Sequence, residues 1–74
     1  MTGKVIKINE SLYFKNEYDN DNLLLVKNAY KCSDGGFHQV SGWHIYSKPL
    51  DLNEIYEFDI EDEMTCRIIR VKNE

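Results

Sequence analysis

The chain has few of the residues that break, cross-link or bury structure in bulk. Its 74 residues include one proline, four glycines, two cysteines, two histidines and one tryptophan. So little proline and glycine argues against a disordered or low-complexity segment. No apolar run approaches the roughly 18 residues needed to cross a bilayer. The opening Met1-Thr2-Gly3-Lys4 has no apolar stretch of the kind that forms a secretory signal. The expected location is therefore the cytoplasm, away from membranes. In that compartment Cys32 and Cys66 read as small buried apolar groups rather than a disulfide. The Asn9-Glu10-Ser11 match to a glycosylation sequon then carries no meaning.

Catalytic and metal-binding patterns are also missing. There is no Gly-x-Ser-x-Gly elbow, no glycine-rich phosphate loop and no Cys-His signature, so no enzyme activity is expected. His38 and His44 are six residues apart, about 20 Å along a strand, too far for one metal ion. Asp19-Asn20-Asp21-Asn22 starts like a calcium loop but continues with Leu23 and Leu24, where a further ligand and a glycine are needed. Neither a metal nor another cofactor is expected.

What the chain does have is alternation. An apolar fraction of 42% and an aromatic fraction of 12% are those of a folded protein, and the length suits one domain over residues 1–74. Period-two patterning predicts five strands. The first covers residues 4–14, with Ile6, Ile8, Leu12 and Phe14 inward. A polar loop holding Tyr18 follows. Strands over 23–32 and 37–47 form a hairpin around Ser33-Asp34-Gly35-Gly36, a strong turn signal. Setting Cys32 opposite Phe37 pairs Tyr30 with Gln39, Val26 with Trp43 and Leu24 with Ile45. That register gathers Leu24, Val26, Tyr30, Cys32, Phe37, Trp43 and Ile45 on a core face. After Pro49, residues 50–54 leave room for at most one helical turn. A fourth strand over 55–60 turns Tyr56, Phe58 and Ile60 inward. A fifth over 64–71 changes face at Ile68-Ile69, which predicts a bulge or burial on both sides. Five strands at this length predict an all-β fold, a small five-stranded barrel, OB-like in preference to SH3-like.

Charge gives the functional expectations. Residues 1–50 carry six lysines and five acids, a balance of +1, whereas 51–74 carry three bases and eight acids, a balance of −5. Asp51, Glu54, Glu57, Asp59, Glu61, Asp62 and Glu63 follow one another with no basic residue among them. Such a flank suits docking on a larger protein with a basic surface, such as a nucleic-acid enzyme, with Tyr18 as an anchor. On this reading the chain is a non-enzymatic binding module or small inhibitor, in keeping with an accessory protein of a phage or mobile element. The alternative is single-stranded nucleic acid bound on the mixed face of the central hairpin, through Lys27, Lys31, His38, His44, Tyr46 and Lys48. A third option is a component of a larger assembly, with that mixed face buried against another subunit, a homo-oligomer included.

Overall fold

Asn9 reverses the chain. In the computed structural model, which describes residues 1–19, 21–41, 44–45 and 48–73 and the side chains of all of these but 41, 44 and 45, Asn9 has φ 55°. Asparagine tolerates this left-handed conformation better than most residues, so Asn9 and Glu10 close a two-residue turn. The expected single strand over 4–14 is therefore two antiparallel strands, β1 (Thr2–Ile8) and β2 (Ser11–Asn16). Val5 lies opposite Phe14 and Ile6 opposite Tyr13. The turn reverses the inward phase of β1. Val5 joins Leu12 and Phe14 in the core, while Ile8 is exposed and Ile6 half-buried on the outer side.

The remaining strands are β3 (Leu23–Val26), β4 (Ala29–Lys31), β5 (Phe37–Ser41), β6 (His44–Ile45), β7 (Tyr56–Ile60) and β8 (Thr65–Val71). Five of them close a barrel in the order β1-β2-β3-β8-β7, with β7 returning to β1. The β3–β8 pair is parallel and the other barrel pairs are antiparallel. The fold is thus an all-β, closed five-stranded barrel, with no helix among the described residues. Residues 51–54 form a turn in which the Glu54 N–H donates to the Asp51 carbonyl over 3.1 Å.

Val5, Leu12, Phe14, Val26, Phe37, Tyr56, Phe58, Cys66 and Ile68 make the core. The Phe14 and Phe58 rings stack with centroids 3.8 Å apart. Gly3 lets Phe14 lie flat across β1: a Cβ there would come within 2.4 Å of the ring and 2.2 Å of the Lys15 carbonyl oxygen. The bulge is present. Glu57 faces Arg70 and Phe58 faces Ile68, which leaves Ile69 without a counterpart and turned outward. Ile60, expected inward, is exposed where β7 leaves the barrel, and so is Met64 just before β8.

The central hairpin differs from expectation in register and extent. Lys31 faces Phe37, Tyr30 faces His38 and Ala29 faces Gln39, one residue from the expected pairing. The cause is a three-residue loop, Ser33-Asp34-Gly35. The Gly35 N–H donates to the Cys32 carbonyl, Gly35 adopts φ 85°, and the Cys32 N–H donates to the Gly36 carbonyl. Tyr30 is consequently exposed and Cys32 half-exposed rather than core, while His38 is buried. Nor does the hairpin run on through β3: β4, β5 and β6 form a separate three-stranded sheet. Ile45, expected opposite Leu24, faces Val40 instead, while Leu24 faces Phe14; Trp43, the expected partner of Val26, lies outside the described residues.

Asn28 joins the small sheet to the barrel. Its side-chain oxygen accepts the Ile68 N–H at 3.0 Å, and its amide nitrogen donates to the Ile68 carbonyl at 2.9 Å. The Gln39 side chain donates to the same carbonyl at 2.9 Å, and the Val40 N–H donates to the Asn28 carbonyl. A side-chain amide here continues the parallel β3–β8 ladder beyond the last paired backbone residue.

Candidate functional site

The acids that follow one another in sequence are not left unpartnered in space. Because β8 runs antiparallel beside β7, its outward arginines meet the outward acids. Arg70 Nε lies 2.7 Å from Glu57, and Arg67 lies 3.2 Å from Glu61 and 3.6 Å from Asp59. Lys27 reaches Asp62 at 3.6 Å. Solvent-exposed pairs of this kind contribute little to stability, but their three cations offset part of the charge of the seven acids and place Glu57, Asp59, Glu61 and Asp62 in ion pairs. Among the described residues, Asp51, Glu54 and Glu63 have no cation within ion-pair distance. Asp51 caps its own turn by accepting the Asn53 N–H at 2.8 Å.

The acids gain a different setting at the end of the barrel where β2 leaves, β3 enters and the β7–β8 loop crosses. An open cleft of about 490 Å³ lies there. Phe14, Leu24, Ile60 and Met64 contribute its apolar surface, and Asp19, Asp62 and Glu63 its rim; among the described residues no lysine or arginine lines it. Ile60 is 56% and Met64 74% exposed, unusual values for large apolar side chains. The rim is held by local backbone bonds. Asp19 accepts the Asp21 N–H at 3.0 Å and Asp62 the Met64 N–H at 3.0 Å. The Met64 N–H, with Lys27 nearby, holds the Asp62 carboxyl below its ordinary range. Tyr18, beside Asp19, is 89% exposed. Tyr18, Asp62 and Glu63 are thus brought to one end of the barrel, whereas Asp51 and Glu54 border a second groove beside Tyr56 and Arg70.

The residues expected to hold nucleic acid are dispersed. Lys27 pairs with Asp62, and Lys31 with Glu10 on the β1–β2 turn, which holds the Glu10 carboxyl low. His38 is buried with Nε2 2.9 Å from Asp34 Oδ2, and Lys48 borders the second groove. The His44 side chain and Tyr46 lie outside the described residues. Sequence reasoning missed the cleft because it turned Ile60 inward and began the fifth strand at Met64. Their position either side of the Glu61-Asp62-Glu63 turn was the available signal, since residues next to such a loop sit at a barrel mouth. No known family, curated protein or solved structure matches the chain.

Proposed function

We propose that this chain is a non-enzymatic protein-binding module whose cleft, at the barrel end, takes an apolar side chain flanked by basic residues on a larger partner. One observation carries the reading: exposed Ile60 and Met64 share a cleft with Asp19, Asp62 and Glu63, and among the described residues no lysine or arginine lines it. An apolar floor supplies affinity through desolvation, and a like-charged rim selects the partner and steers its approach. One observation supports binding over catalysis: burial pushes the Cys66 thiol up to about 12, far from a reactive thiolate. The parallel β3–β8 pair supports the OB-like reading of the barrel over the SH3-like one.

The test is a selection from a random peptide library on the immobilised chain. Bound peptides are expected to combine a large apolar residue with neighbouring lysines or arginines, and to lose affinity for an Asp19→Lys, Glu63→Lys variant. Recovery of acidic peptides, or of none, contradicts the reading. Unchanged affinity for the variant does so as well.

A further inference from the structure

A different surface carries the opposite charge. We infer that the outer face of β1, β2 and β3 is a binding site for single-stranded nucleic acid, separate from the acidic cleft. Lys4 and Lys15 lie directly opposite each other across β1 and β2, both exposed. Neither has a carboxylate within ion-pair distance among the described residues. Like charges facing each other across a strand pair are unfavourable unless something anionic lies between them. Two residues further along β1, Ile6, Tyr13 and Leu25 form a row across the three strands, half-buried or exposed. A lysine pair and an aromatic–aliphatic row about 7 Å apart suit one strand of nucleic acid, with a phosphate on the lysines and a base on the Tyr13 ring.

The net charge of −4 does not oppose this placement. Glu17, the acid next on the outer side beyond Lys15, is engaged by Thr2 at 2.6 Å and Lys72 at 3.9 Å, and Glu10 at the β1–β2 turn by Lys31. On the neighbouring wall, Glu57, Asp59 and Glu61 are countered by Arg70 and Arg67. The outward residues of β1, β2 and β3 therefore include no unpaired carboxylate, while the two lysines remain uncompensated. Charge complementarity selects an anion, and the ring beside it selects one that carries bases.

The test is fluorescence anisotropy of the full chain with a labelled oligothymidylate of about 20 nucleotides. If two phosphates are neutralised, affinity falls about sevenfold between roughly 50 and 200 mM salt. Lys4→Gln with Lys15→Gln, both at exposed positions that leave the fold intact, abolishes that salt dependence. Tyr13→Ala weakens binding at least about fivefold, and Tyr13→Phe, which keeps the ring, does not. No binding at low salt overturns the proposal. So does equal competition by polyglutamate, or binding that survives the double lysine change; either would assign the face to an acidic protein or to nothing.

Discussion

Asn28 and Gly3 hold positions that no ordinary substitute fills. Asn28 supplies both a donor and an acceptor to Ile68, deep between barrel and small sheet. Alanine there would leave the buried Ile68 N–H without its acceptor, a loss of about 1–3 kcal/mol. Urea denaturation of Asn28→Ala measures this, and an unchanged midpoint would show that the clasp contributes nothing. Gly3 is required for its lack of a side chain. Gly3→Ala forces a Cβ against the Lys15 carbonyl and the Phe14 ring, and is expected to lower stability by about 1–3 kcal/mol or more. Cys66 is fully buried and its thiol is raised to about 12, whereas Cys32 is half-exposed. A thiol reagent should label Cys32 alone in the native protein and both cysteines after unfolding; rapid native labelling of Cys66 would contradict the packing described. Asn28 could not be read from the sequence, because inside an expected strand over 23–32 nothing marks one polar residue as a clasp until the strand beside it is known. Gly3 gave no signal for the same reason: the ring it accommodates belongs to the neighbouring strand.

Among the elements, β7 and β8 were legible in advance because each has alternating residues; the face change at Ile68-Ile69 pointed to a bulge or to burial on both sides, and strand pairing shows the bulge. β1 and β2 were not. A two-residue turn without glycine looks like uninterrupted strand, and reading through it assigned Ile6 and Ile8 to the wrong side. The hairpin register failed by one residue, because the left-handed Gly35 shortens the loop and sets Gly36, not Phe37, opposite Cys32. The Asp34 carboxyl within that loop is held below its ordinary value of 3.8, first by the Gly36 N–H and then by His38. A depressed carboxylate adds stability above its unfolded value and loses it as pH falls through the folded one. Asp34→Asn should therefore flatten the loss of stability below about pH 4 relative to the parent chain, as read by denaturation at a series of pH values. An identical acid profile would remove Asp34 from the account. The strand pair β1–β2 offers a sharper test. Lys15→Glu converts an opposed like pair into an attractive one and should raise stability by about 0.2–1 kcal/mol while abolishing oligonucleotide binding. Lower stability in this variant would mean that the two lysines do not face each other as described.

At the scale of the whole molecule, charge is organised by the sheet rather than by the sequence. The run of acids over 51–63 suggested one acidic side, but strand pairing sets arginines of β8 against those of β7. Linear charge counts miss this because the partner strand follows the acids in sequence and lies beside them in space. What remains is an acid-rimmed apolar cleft at one barrel end and an uncompensated basic pair on the outer face of β1 and β2. The barrel itself was legible, since alternation and strand number do not depend on register. The cleft depends on where strands end, and small errors in strand limits hide it.

The central claim is that the cleft is the docking site. Methyl NMR of the chain, titrated with the tightest basic peptide from the library selection, tests it most directly. The account predicts saturable shifts of the Met64, Ile60 and Leu24 methyl signals, with Ile6 and Val5 unmoved. Shifts centred on Ile6 and Leu25, or spread without saturation over the surface, would contradict it.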